Sequence, residues 1–155
     1  MKAILLVEDS QDDIDLTMRA FRKNGMANRV AVVRDGVEAL DYLVLASGRD
    51  AAERPQLVLL DLKLPRLDGL QLLQRIRMNP ATRFLPVVIL TSSTEERDLV
   101  NSYTLGANSY VRKPVDFEQF VQTLQQIGSY WLLMNQAPPM GPTSRVGSSS
   151  EEVKA

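Results

Sequence analysis

Residues 3–10 read Ala3-Ile4-Leu5-Leu6-Val7-Glu8-Asp9-Ser10: five apolar residues, two acids, then a helix-capping serine. A short apolar run closed abruptly by charge is the mark of a parallel strand buried on both faces. The same grammar recurs three times. Leu57-Val58-Leu59-Leu60 ends at Asp61, Val87-Val88-Ile89-Leu90 ends at Thr91, and Ser109-Tyr110-Val111-Arg112 ends at Lys113-Pro114. In an open parallel α/β sheet, ligands collect beyond the carboxyl ends of the strands. These polar residues, remote in sequence, are therefore expected at one edge.

Helical signals fill the gaps. Ser10 caps a helix expected over about 11–24, with Ile14, Thr17, Met18 and Phe21 at helical spacing and Asn24-Gly25 as its stop. Val30–Val33 reads as a further strand, and Asp35-Gly36 turns into a helix with Val37, Leu40, Leu43 and Val44. The polar stretch from Ser47 to Pro55 reads as a loop. Pro65 and Asp68-Gly69 precede a helix with Leu70, Leu72, Leu73 and Ile76, which Asn79-Pro80 ends. Thr94-Glu95-Glu96 opens another, with Leu99, Val100 and Tyr103 as its stripe and Gly106 as its close. The last helix, about 116–134, aligns Phe117, Phe120, Val121, Leu124, Ile127 and Trp131. Five βα units predict a doubly wound, three-layer α/β fold.

Composition narrows the class. The 155 residues suit one domain, and 45% apolar with 24% charged residues is ordinary for a globular chain. The formal net charge of -1 gives no bulk attraction to nucleic acid or an anionic membrane. There is no cysteine, which excludes disulfides and thiolate chemistry and fits a cytoplasmic setting. There is no histidine, which removes imidazole acid–base catalysis and the usual zinc ligands. The apolar run at the N-terminus is shorter than a secretion signal's core, and no run reaches the ~18 residues of a membrane span. Residues 1–135 are expected to form the domain. Residues 136–155, rich in proline, glycine and serine, read as a disordered tail.

The chemistry of the strand ends follows from charge. Glu8, Asp9 and Asp61 would repel one another at one edge unless a cation sits among them, and hard divalent ions such as magnesium take oxygen ligands. A carboxylate beside such an ion can attack phosphorus, as in aspartyl phosphates. Thr91 can donate to one phosphoryl oxygen and Lys113 can supply a cation to another. Singly, an Asp or Thr at a strand end reads as a cap or turn former. Their conjunction is what points to a phosphate site. Pro114 invites a turn, and a cis bond before it would fix the direction of Lys113.

Together, Glu8-Asp9, Asp61 with Pro65 and Asp68-Gly69, Thr91-Ser92, and Tyr110 three before Lys113-Pro114 resemble the receiver domain of two-component response regulators, over roughly residues 2–130. The resemblance implies a flavodoxin-like five-stranded parallel sheet in the order 2-1-3-4-5 with five helices. It implies that Asp61 accepts a phosphoryl group from a histidine kinase in a Mg2+-dependent reaction. By the same resemblance, Asp61 and Asp9 are direct metal ligands, Glu8 acts through water, and Lys63 offers its backbone carbonyl. Thr91 and Lys113 would contact the phosphoryl group, and Thr91 with the aromatic Tyr110 would form the conformational switch. Lys63 and Ser93 occupy places that influence acyl-phosphate hydrolysis in the family.

Glu8-Asp9-Ser10 with Asp12-Asp13-Ile14, the long loop before Pro55, and Ile127-Gly128-Ser129-Tyr130-Trp131-Leu132 resemble, more narrowly, the stand-alone regulators paired with bacterial phytochromes. That resemblance implies a phytochrome-type kinase as partner and a homodimer through the fourth and fifth helix faces. Tyr130, Leu132, Leu133 and Met134 widen the last helix's apolar surface, which suits a dimer or kinase-docking face; a tail folded back over it is the alternative.

Three other functions fit these residues less well. A haloacid-dehalogenase-type aspartyl-phosphate phosphatase needs an acid two residues after the nucleophile, where this chain has Lys63. A flavodoxin-like cofactor binder needs a Ser/Thr/Gly-rich loop where Glu8-Asp9 stands. A binding module that takes no phosphate leaves the full set of site residues unexplained.

Overall fold

The computed structural model describes residues 3–47 and 54–138. Most of the loop expected between Ser47 and Pro55, and residues 139–155 of the expected tail, lie outside the described residues. Five strands form one parallel sheet: β1 (Ile4–Val7), β2 (Val30–Val33), β3 (Leu57–Leu60), β4 (Val87–Thr91) and β5 (Ser109–Arg112). Their order is β2-β1-β3-β4-β5, as the family resemblance implied. The helices are α1 (Gln11–Lys23), α2 (Gly36–Ser47), α3 (Gly69–Met78), α4 (Glu96–Thr104) and α5 (Phe117–Ser129).

Alternation along each strand divides the core in two. Leu5, Val7, Val58, Leu60, Val87 and Ile89 face one side and pack against Leu43 of α2 and Leu72, Leu73 and Ile76 of α3. Ile4, Leu6, Leu57, Leu59, Val88 and Leu90 face the other and meet Ala20 and Phe21 of α1 and Phe120, Leu124 and Ile127 of α5. Every residue of β1, β3 and β4 is buried, which is why these runs carry no polar alternation.

Helix starts follow their caps. Ser10 accepts from the Asp13 N–H, Asp68 forms a capping box with Gln71, and Asp116 accepts from the Gln119 N–H. Three local features depart from expectation. A single 3₁₀ turn, Ala27–Arg29, precedes β2. The final helix is α-helical only to Ser129 and continues as a π-helical segment over Tyr130–Met134. The apolar stripe of α4 faces outward: Leu99, Val100 and Tyr103 are all exposed, and Ser102 is that helix's buried residue. Among the described residues no helix is long and apolar enough to cross a membrane.

Candidate phosphate and metal site

Strand register makes the site. Val7 pairs with Leu60, so Glu8 and Asp61 leave the sheet side by side. Thr91 pairs with Arg112, which places Lys113 one residue beyond. The ladder persists past the strands, with the Asp61 N–H donating to Val7 O at 3.1 Å and the Lys113 N–H to Thr91 O at 2.8 Å.

The Lys113 ammonium is the hub. Its Nζ donates to Glu8 Oε1 at 2.7 Å, Asp61 Oδ2 at 2.8 Å and Asp13 Oδ2 at 3.3 Å. Glu8 and Asp61 are both buried. Burial, reinforced by the charge of Asp61, pushes the Glu8 carboxyl up to about 7 against the lowering pull of Lys113. Burial alone would lower the Lys113 ammonium, but its bonds to Asp61 and Glu8 outweigh this and hold it above its ordinary value. The other Asp61 oxygen, Oδ1, accepts from the Lys63 N–H at 2.9 Å. The described peptide bonds are all trans, so no cis bond precedes Pro114. The ion pairs, rather than a cis proline, aim Lys113.

The other expected residues take different places. Thr91 is buried, and its Oγ1 accepts from the Ser93 N–H at 3.2 Å. Ser93 Oγ in turn donates to Asp98 Oδ2 in the first turn of α4 at 2.6 Å. Tyr110 is half-buried against the α2/α3 side of the core, with its hydroxyl buried and lacking a hydrogen-bond partner among the described residues. Lys63 is exposed. Asp9 is also exposed, its carbonyl accepting from Arg34 Nη2 at 3.0 Å.

The three carboxylates that gather are Glu8, Asp13 and Asp61, with one oxygen from each lying within 4.8 Å of the others. Asp9 does not belong to that group. Sequence reasoning met Asp13 only as part of the Asp12-Asp13-Ile14 resemblance and not as a site residue, although the Ser10 cap held the clue. Side chains in a helix's first turn lean towards its N-terminus, here towards the sheet edge. An all-oxygen, anionic donor set suits a hard divalent cation.

A family model of the response regulator receiver domain matches residues 4–125. The chain belongs to that family. Two curated proteins are similar over most of their length. The probable methanogenesis regulatory protein FilR2 of Methanothrix harundinacea is 44% identical over 135 residues, 87% of this chain and 86% of that protein. Response regulator Rcp1 of Synechocystis sp. is 37% identical over 131 residues, 84% of this chain and 89% of Rcp1. Among solved structures, the phosphorylated cyanobacterial phytochrome response regulator RcpA superimposes with a TM-score of 0.77 at 38% identity, covering 89% of this chain and 99% of RcpA. The Mn2+-bound form of Rcp1 superimposes with a TM-score of 0.73 at 35% identity, covering 90% and 100%. This receiver is therefore a signalling protein whose partner class is the histidine kinase, and the phosphatase alternative gives way.

Proposed function

We propose that this receiver works as a single-domain response regulator over residues 1–135, accepting a phosphoryl group from a sensor histidine kinase onto Asp61 with Mg2+ as the cation. An Asp61 carboxylate oxygen attacks phosphorus while the P–N bond of the kinase phosphohistidine breaks, its electron pair staying on the imidazole nitrogen, which takes up a proton. When bound, the magnesium ion neutralises phosphoryl charge. Asp61, Asp9, Glu8 (through water) and the Lys63 carbonyl would hold it. Lys113 and Thr91 bind and orient the phosphoryl oxygens, a task of positioning and charge. The observation that carries this reading is the half-buried Lys113 ammonium bridging the buried carboxylates of Asp61 and Glu8 at the carboxyl edge of the sheet.

The protein promotes its own phosphorylation and dephosphorylation rather than turning over a separate substrate. Its output is the Thr91/Tyr110 switch: Thr91 moves to the phosphoryl group and Tyr110 fills the space behind it. The Tyr110 hydroxyl, buried and without a hydrogen-bond partner among the described residues, supports two alternative seats for that ring. We assign the kinase to the phytochrome type from the likeness to RcpA and Rcp1, and the protein to the cytoplasm with its kinase's catalytic domains. A homodimer through α4 and α5 is supported by the exposed apolar residues Val100 and Tyr103 on α4 and Tyr130, Leu133 and Met134 after α5. Neither nucleic acid nor membrane is a partner.

Acetyl phosphate with Mg2+, followed by intact-mass measurement, tests the reading. One added phosphoryl group that disappears in Asp61→Asn supports it. Rapid multiple-turnover release of inorganic phosphate, or incorporation that survives Asp61→Asn, overturns it.

A further inference from the structure

Asp13 belongs to the carboxylate trio at the sheet edge but has no part in the metal and phosphoryl roles proposed above, yet it touches their central group. An ammonium has three N–H donors and no acceptor. Lys113 directs them to three carboxylates from three elements: Glu8 after β1, Asp61 after β3, and Asp13 in the first turn of α1. These contacts are not equivalent. Glu8 and Asp61 side chains are 4% and 10% exposed, whereas Asp13 is 44% exposed and its contact, 3.3 Å, is the longest. A buried carboxylate that loses its cation is left uncompensated; a half-exposed one can be hydrated. The bond to Asp13 is therefore the one released at least cost. Asp13, Ser92, Lys113 and Pro114 also line a cavity of about 190 Å3, so there is open space beside that bond.

We propose that Asp13 is the exchangeable anchor of Lys113: it holds the ammonium's third N–H while Asp61 is unmodified and yields it to an oxygen of an anionic group carried on Asp61. The inference rests on the reading of Asp61 as the acceptor. Asp13 is thus a positioning residue with a cost attached, because its charge competes with the incoming anion for one cation. The Asp13 main chain is fixed independently, its N–H donating to Ser10 Oγ at 3.3 Å, so Asp13→Asn keeps the helix start.

Two measurements on the full chain decide it. In metal-free protein labelled with 15N-lysine, the Lys113 Nζ signal, assigned by its loss in Lys113→Arg, is expected to be protected from exchange with water. Asp13→Asn should speed that exchange several-fold and Asp13→Glu should restore protection; equal exchange in wild type and Asp13→Asn overturns the anchor. At saturating Mg2+, with beryllium fluoride as the phosphoryl mimic followed by 19F resonance, Asp13→Asn should bind several-fold more tightly than wild type. Unchanged or weaker binding overturns the exchange. If wild type takes no beryllium fluoride, the acceptor reading and the exchange fail together, while the ammonium signal still decides the resting anchor.

Discussion

Lys113 Nζ reaches Asp61 Oδ2 at 2.8 Å across an intervening strand, since β3 and β5 are both partners of β4 and not of each other. The lysine therefore spans the end of β4 and joins the last strand of the sheet to the middle one. That single contact is both structural cement and part of the proposed site, so removing it acts on both.

Lys113→Met leaves Glu8 and Asp61 buried without their shared cation. Loss of one partner from such a cluster costs about 3 kcal/mol when the orphaned charge cannot escape. Here a proton on Glu8 offers partial relief, so the loss should shrink below pH 7, the region to which burial raises that carboxyl. Urea unfolding in EDTA at pH 5.5 and pH 8, with pH values of about those settings, would show the larger deficit at the higher one.

Glu8 gives the fold its own pH signature. Its carboxyl is raised from 4.5 to about 7, so between those values the native state holds a proton that the unfolded chain has released. The contribution is complete below the lower value and is lost as pH rises through the upper one, at up to about 1.4 kcal/mol per pH unit. Glu8→Gln should flatten that slope in metal-free protein. A wild-type stability curve that rises across this window, with no change in Glu8→Gln, would contradict the assignment.

Gly69 sits under the acceptor loop. A Cβ there would lie 2.5 Å from the Asp61 carbonyl oxygen and 2.6 Å from Leu62 Cα, both backbone atoms that cannot swing aside. Gly69→Ala should destabilise by about 1–3 kcal/mol through overpacking and shift the loop that carries Asp61. Thermal unfolding and phosphoryl incorporation from acetyl phosphate should fall together.

Arg77 supplies the contrast. Its guanidinium is half-buried at the opposite edge of the sheet, donating to Gly106 O, Leu85 O, Arg83 O and Asn108 Oδ1. Arg77→Met strips several acceptors at once and should cost about 2–3 kcal/mol, the range of one or two hydrogen bonds to a charged group. Phosphoryl incorporation, normalised to folded protein, should be unchanged. A loss of incorporation would mean that the two edges are coupled.

Much of this was legible in the chain because parallel strands buried on both faces announce themselves. β2, β3 and β5 fall on the residues expected for strands, and α3 stops before Asn79-Pro80 as expected. The less legible parts are those where neighbours decide. Leu99, Val100 and Tyr103 have helical spacing but lie outward, because Ser102 is what α4 buries. The run after Ser129 keeps its helical pattern while its hydrogen bonding widens to a π-helix, which side-chain spacing does not encode.

The sequence by itself determined the elements, their alternation, and the polar residues at the strand ends, because burial on two faces and helix capping are local demands that individual residues must meet. Only the tertiary structure decided which acids share Lys113. Register sets Glu8 beside Asp61, and the first turn of α1 brings Asp13 to the ammonium while Asp9, next to Glu8 in the chain, faces solvent. The physical reason is reach: an ammonium pairs with carboxylates about 3 Å away, and that distance is fixed by how strands and helices pack, not by nearness in sequence.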